Sequence, residues 1–127
     1  MPVTALYAAP LALLFVVLSI RVVKARRKAR VALGDGGDEP LRRAMRAHGN
    51  CAEYVPMALV VMALAEYGGG PAWAVHVLGL ALLAGRLVHA VGISRPQENF
   101  RFRVVGMSLT YASLLLGGLL DLWVALA

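Results

Sequence analysis

The sequence predicts an all-α integral membrane protein, folded as a bundle of four transmembrane helices. Of its 127 residues, 60% are hydrophobic, whereas soluble domains typically contain about 45–50% apolar residues. A membrane-spanning helix needs roughly 20 consecutive, mostly apolar residues. The chain holds four such stretches joined by short connections. We therefore expect a single four-span domain over residues 1–127, with spans at about 3–20, 44–66, 72–93 and 104–126.

Each span has its own boundary signals in the sequence. Residues 3–20 are uncharged and a basic cluster follows them, which is the reverse of a cleaved signal peptide. The stretch GDGGDEP at 34–40 is rich in turn-forming residues, so it should end a helical extension of span one and start span two. The GGGP turn at 68–71 separates spans two and three. Span four carries a single charged residue, Asp121, near its end.

The basic residues predict the orientation of the protein. Most of the 13 lysines and arginines lie between spans one and two, and three more lie between spans three and four. The positive-inside rule therefore places both basic loops in the cytoplasm and both termini on the outer side. Topology and anionic lipid already account for the net charge of +6, so we expect the lipid bilayer and no nucleic acid as a partner.

Charged residues lie unusually deep in the predicted spans. At 1.5 Å per residue, Glu53 lies about 20 Å inside the boundary marked by Glu66, and Arg86 lies at a similar depth in span three. Burying a charge there costs about 2.5–3.5 kcal/mol, so such groups normally face the bundle and pair. One interpretation is a Glu53–Arg86 ion pair that only locks two helices together.

A second interpretation accounts for more of the polar residues. Arg46, Asn50 and Glu53 follow one another at i, i+4 and i+7 on span two, while Arg86 and His89 are three residues apart on span three. The pattern indicates a polar pocket open to the cytoplasm. Because arginines bind carboxylates through a planar fork of donors, the ligand should be anionic and peptide-like. A second, apolar ligand would enter the pocket from the lipid bilayer.

We expect neither a metal site nor a disulfide. His76 and His89 lie about 20 Å apart along one helix, too far to share an ion. The single cysteine, Cys51, has no internal partner and should be a packing residue. In span four the small residues recur at intervals of four, three and four, a pattern typical of close helix packing in lipid. They are Gly106, Thr110, Ser113 and Gly117.

The stretch RAHGNCAEYVP at 46–56 resembles the signature of the MAPEG family, membrane-associated proteins in eicosanoid and glutathione metabolism. Arg46, Asn50, Glu53 and Pro56 carry that pattern. Three further stretches support it, in the family's order: ARRKARV at 25–31, GRLVHAVG at 85–92 and RFRVVGMSLT at 101–110. The chain is identified as a bacterial-type member, for which we expect an inner-membrane location.

The resemblance implies a homotrimer that binds glutathione, as a co-substrate, between neighbouring subunits. Arg103 best matches the arginine that stabilises the glutathione thiolate, with Arg101 as a contender. Such a cation lowers a thiol pKa from about 8.5 toward neutrality, and the thiolate is the nucleophile. Arg103 is thus the expected catalytic residue, and the expected glutathione-binding residues are Arg26, Arg27, Arg30, Arg46, Asn50, Glu53, Tyr54, Arg86 and His89.

Two departures from the family pattern narrow the expected function. Ile93 and His89 stand where eicosanoid synthases of the family carry tyrosines, and Val104 replaces a serine after the thiolate-stabilising arginine, which disfavours prostaglandin isomerisation. We therefore expect a membrane-bound glutathione transferase, with peroxidase chemistry also open, acting in detoxification on hydrophobic small molecules. The alternative is a non-enzymatic lipid-binding module, like the family's lipoxygenase-activating member. A proton-coupled multidrug exporter is disfavoured because span one has no ionisable residue before Arg21.

Overall fold

All four described elements of the protein are α-helices, as the sequence predicts. The structure, a computed structural model, describes residues 2–95, 97 and 99–127. The helices are α1 (Val3–Ala29), α2 (Glu39–Tyr67), α3 (Ala72–Ser94) and α4 (Phe100–Leu126). We call the end of the bundle where α1 begins and α4 ends the terminal end. The opposite end, where α1 and α3 end and α2 and α4 begin, is the basic end.

Three of the described helices, α1, α3 and α4, are long and apolar enough to cross a membrane. The helix α2 has 29 residues, about 43 Å of length, but its first half carries several charged residues. The predicted span at 44–66 lies inside α2 and stays a prediction. More of the predicted site residues lie on this helix than on any other, and its polar side chains are at the same height in the bundle as apolar segments of the neighbouring helices.

The connection between α1 and α2 confirms the predicted break. The helix α1 continues past the apolar span and ends at Arg30, whose φ of 56° is left-handed. Gly36 and Gly37 also have positive φ angles, of 55° and 77°, which a side chain would disfavour. Asp38 then caps α2, because its Oδ1 accepts a hydrogen bond of 2.7 Å from the Leu41 amide.

The helices α3 and α4 approach each other closely through small residues. A Cβ atom added to Gly106 would lie 2.7 Å from the Gly85 carbonyl oxygen, so only glycine fits there. Thr110 donates to the Gly106 carbonyl at 2.9 Å, and Ser113 donates to the Leu78 carbonyl at 3.0 Å. All four predicted packing residues of α4, including Gly117, are buried, which confirms that prediction.

Several polar groups at the terminal end bond to one another within the chain. The Glu66 carboxylate, at the end of α2, accepts hydrogen bonds from the Val3 amide and, at 2.9 Å, from the Thr4 amide. These amides open α1, where the helix dipole favours a negative charge. The Tyr7 hydroxyl is 2.8 Å from Nδ1 of His76, which ties α1 to α3. We call these residues, Val3, Thr4, Tyr7, Glu66 and His76, the terminal cluster.

Candidate functional site

Arg86 is the centre of the candidate site and links three helices. It lies on α3 with only 2% of its surface exposed. Its Nη1 donates to Asn50 Oδ1 on α2 at 2.6 Å, and its Nη2 lies 3.2 Å from Met107 Sδ on α4. Its Nε has no hydrogen-bond partner. Its Nη2 also donates to the Gly106 carbonyl at 3.5 Å. Among the described residues no carboxylate lies within 4.0 Å of the guanidinium, so its charge is stabilised by an amide, a carbonyl, sulfur and ring electrons.

The Glu53–Arg86 ion pair considered from the sequence is not formed. Asn50 and Glu53 are three residues apart, so their side chains leave α2 about 60° apart. Asn50 is half-buried and bonds to Arg86, whereas Glu53 is exposed on the surface of the protomer. Glu53 and Arg86 lie at a similar depth, but the Glu53 side chain leaves α2 in a different direction from Asn50, which bonds to Arg86.

Tyr54 stands beside the buried guanidinium. The Tyr54 ring centroid lies 6.0 Å from the Arg86 Cζ, within range of a cation–π interaction. Its hydroxyl is 3.2 Å from the Tyr111 hydroxyl, and the two rings meet edge to face at 5.5 Å. Reasoning from the sequence missed Tyr111. A signal was present, because Arg103, Met107 and Tyr111 recur every four residues and therefore share one face of α4.

A small cavity at the basic end brings Arg46 and Arg103 together. It has a volume of about 140 Å³ and is also lined by Glu39, Arg42, Arg43 and Ile93. Arg103 is half-buried there. Arg101, the contender for the same role, is exposed and lines a different cavity with Arg95. The geometry of the protomer therefore pairs Arg46 with Arg103 rather than with Arg101.

His89 lies at the α3–α4 contact. Only 4% of its surface is exposed. A Cβ atom added to Gly106 would lie 2.7 Å from the His89 Cβ, so this part of α3 is pressed against α4. His89 is thus buried where α3 packs against α4. In the described residues no three His, Cys, Asp or Glu side chains cluster as metal ligands.

The three predicted basic residues of α1 lie apart from this group. Arg26 donates to the Gly34 carbonyl at 2.8 Å and lies 3.5 Å from Met45 Sδ. Arg27 and Arg30 are exposed and, with Arg26, line an open cavity of about 390 Å³. One protomer therefore does not bring the α1 arginines to the cavity that Arg46 and Arg103 share.

The structure thus divides the predicted site residues by their surroundings. Arg86 and His89 are buried, Asn50 and Tyr54 are half-buried beside them, and Arg103 is half-buried at the cavity. Arg46 and Glu53 are exposed, and neither forms a hydrogen bond or an ion pair with another residue of the described part of the chain. Because both groups keep their full hydrogen-bonding capacity, they are available to a ligand or to another subunit.

Comparison with known proteins assigns the chain to a family. Residues 4–123 match the MAPEG family. The chain is 48% identical over 121 residues to inner membrane protein YecN of Escherichia coli strain K12, a match that covers 95% of this chain and 91% of that protein. The protein of the same name from Escherichia coli O6:H1 matches with the same identity and coverage.

Proposed function

The chain belongs to the MAPEG family of membrane proteins, and from this premise we propose that it is a glutathione-dependent transferase. In this proposal it activates the glutathione thiol for attack on hydrophobic electrophiles. The observation that carries the proposal is the cavity shared by Arg46 and Arg103, in which Arg42, Arg43 and Glu39 also take part. A cavity whose arginines outnumber its single carboxylate suits a small peptide that carries carboxylates and a thiolate.

Each polar group has a role that its surroundings allow. Arg46 binds a glutathione carboxylate through its fork of donors. The Asn50 side chain accepts from Arg86 and so has its NH₂ group available to donate to the peptide. Arg86 orients Asn50 and Tyr54 rather than contacting the ligand, because it is almost completely buried. Glu53 accepts from the ligand's ammonium group.

Arg103 stabilises the thiolate in this mechanism. A thiol with a pKa near 8.5 is only about 3% ionised at pH 7, and a nearby cation raises that fraction by favouring the charged form. The thiol proton leaves to solvent. The thiolate sulfur then forms a bond to the electrophilic carbon, and the leaving group departs with the electron pair of the broken bond. A peroxide would be reduced by the same thiolate, with a second thiol completing the disulfide.

Glu53 also supports the proposed homotrimer. It is exposed on the protomer at a depth of about 20 Å, where a charge facing lipid costs about 2.5–3.5 kcal/mol. A neighbouring subunit over this face removes that cost. The same arrangement would let Arg26, Arg27 and Arg30 of α1 reach the ligand from the neighbouring subunit. In such a trimer the three arginines lie apart from the site of their own protomer because they belong to the site of its neighbour.

The proposed orientation follows the basic residues. The basic end faces the cytoplasm, so glutathione enters from that side, and both termini lie outside. The related YecN protein is an inner membrane protein, and we propose the same location here. The hydrophobic substrate arrives through the bilayer. Detoxification of such compounds is the physiological role that we propose.

A non-enzymatic lipid-binding module is the second candidate. It is favoured by an apolar cavity of about 220 Å³ between α1 and α2, lined by residues that include Leu11, Phe15, Val55 and Leu59. A lipid binder has no use for a thiolate site, so the two candidates differ in what glutathione does when it is added.

The test is ultraviolet difference absorbance of the detergent-purified protein titrated with glutathione at pH 7. We expect a saturable thiolate band that Arg103→Ala abolishes. Arg101→Ala is the matched control, since it removes the same charge two residues away from an exposed position, and the band should persist. Binding without a thiolate band would favour the lipid-binding candidate. Absence of glutathione binding would overturn the transferase proposal.

A further inference from the structure

A second cavity at the basic end adjoins the cavity of Arg46 and Arg103, since Glu39 and Arg43 line both, and its other lining residues are different. It has a volume of about 360 Å³ and lies between α1, α2 and α3. Its polar lining residues are Arg21 and Lys24 on α1, Glu39 and Arg43 on α2, and Ser94 on α3. None of the residues assigned to glutathione lines it. The ligand of this cavity therefore depends on the charges and the apolar surface of its own lining.

The charges of the cavity leave a positive surplus on the α1 wall. Glu39 forms ion pairs with two arginines, Arg42 and Arg43, so its carboxylate is already neutralised. Arg21 donates to Ser94 Oγ at 2.8 Å, which fixes the guanidinium at the cavity without neutralising it. Lys24 lies one helical turn further along α1. Among the described carboxylates, none lies within 4.0 Å of Arg21 or Lys24.

The second wall of the cavity is also held in place. Arg43 donates to the Arg95 carbonyl at 3.2 Å and forms its ion pair with Glu39 at 3.0 Å, so it bridges α2 and the segment after α3. Ala25, Pro40 and Ala44 complete the lining with apolar surface. The site thus combines positioned cations with apolar surface, as the boundary between a lipid's headgroup and its acyl chains requires.

The level of the cavity in the membrane points to its ligand. Arg21 is the first charged residue after the uncharged stretch 3–20, which spans about 27 Å as a helix. That length matches a hydrocarbon core of about 30 Å whose other boundary is at the terminal cluster. Arg21 and Lys24 therefore lie at the level of the lipid phosphates, where basic pockets between membrane helices bind anionic headgroups.

We propose that this cavity binds the phosphodiester headgroup of an anionic phospholipid. Arg21 and Lys24 contact the phosphate, Arg43 closes the site from α2, and the acyl chains run along the apolar surface of α1. The proposal depends on the chain spanning a membrane and uses none of the residues assigned to glutathione. It identifies a structural lipid bound beside α1.

The experiment is native mass spectrometry of the protein in a non-ionic detergent with added phosphatidylglycerol. Lys24→Gln is compared with Lys28→Gln, which removes the same charge one turn further along α1, outside the cavity lining. A basic residue near the membrane surface contributes about a fivefold change in binding. We expect Lys24→Gln to weaken phosphatidylglycerol binding roughly fivefold and Lys28→Gln to leave it within about twofold.

Further measurements decide between the sources of the phosphate. Arg21→Gln combined with Lys24→Gln should weaken phosphatidylglycerol binding about 30-fold if the two effects add. Phosphatidylcholine should bind weakly to the unmodified protein, and inorganic phosphate should not displace phosphatidylglycerol. Equal losses with Lys24→Gln and Lys28→Gln would overturn the proposal in favour of diffuse attraction. Equal binding of phosphatidylcholine, or displacement by inorganic phosphate, would also overturn it.

Discussion

The two ends of the bundle use polar side chains in different ways. At the terminal end, Glu66 binds the first amides of α1, and Tyr7 binds His76, so these groups are satisfied inside one protomer. Toward the basic end, Arg46 and Glu53 are exposed and have no hydrogen-bond partner among the residues that the structure describes. Glu53 and Glu66 belong to the same helix, and of these two only Glu66 has partners among the described residues.

The presence or absence of an internal partner distinguishes polar groups that stabilise the fold from polar groups that are available for binding. A polar group that is fully bonded within the protomer stabilises the fold, and its removal leaves partners unsatisfied. A charged group that reaches bilayer depth without an internal partner is stable only when something else supplies one. Substitutions of the same kind at the two ends should therefore change different measured quantities.

The largest effect is expected from Glu53→Gln. The change removes the charge that, in the proposed site, accepts from the ammonium group of glutathione. A charge-assisted hydrogen bond contributes about 1.5–3 kcal/mol, so the dissociation constant should rise about 10- to 100-fold in calorimetric titration. The free energy of unfolding in detergent micelles should hardly change. An unchanged dissociation constant would show that the exposed glutamate does not bind the peptide.

The matched change at the terminal end is Glu66→Gln. It weakens two hydrogen bonds at the start of α1 and removes a favourable interaction with the helix dipole. We expect the free energy of unfolding, from denaturant titration in micelles, to fall by about 1–2 kcal/mol. Glutathione affinity should stay within twofold of the unmodified protein. A large loss of affinity here would erase the distinction between the two ends.

The smallest effects are expected from a pair of tyrosine substitutions. Tyr7→Phe deletes one hydrogen bond to His76 and should lower the free energy of unfolding by about 1 kcal/mol. Tyr54→Phe deletes a longer contact with Tyr111, of 3.2 Å, and should cost less than about 0.5 kcal/mol. Thermal unfolding followed by circular dichroism measures both. If Tyr54→Phe were the more destabilising change, the Tyr54 hydroxyl would have to be counted as structural.

The sequence predicted the helices well because their signals are local. Span length, turn residues and the spacing of small residues on α4 each depend on a few neighbouring positions, and the structure confirms the helical extension of α1 and the buried face of α4. The position of each residue along its helix axis could also be predicted, since the helical rise is constant. The directions of the Asn50 and Glu53 side chains could not be predicted. Their directions depend on how α2 is rotated against α3, and no local pattern fixes that rotation.

Contacts between helices far apart in sequence were missed for the same reason. The sequence offered His76 only as a metal ligand to be excluded, and its bond to Tyr7 joins residues 69 positions apart. Tyr111 was not considered, although its spacing from Arg103 was visible. The α1 arginines were assigned to the site by resemblance alone, and a single protomer leaves them outside the Arg46–Arg103 cavity. Their assignment depends on a neighbouring subunit, which one chain does not contain.

The position of Arg86 also constrains how the protein is made. Its partner Asn50 precedes it in the chain, whereas Gly106 and Met107 follow about twenty residues later. When α3 first enters the bilayer, half of the groups that stabilise its guanidinium have not yet left the ribosome. Inserting α3 alone would expose a charge to hydrocarbon at a cost of about 2.5–3.5 kcal/mol. The helices α3 and α4 are therefore expected to leave the translocation machinery together, as one hairpin.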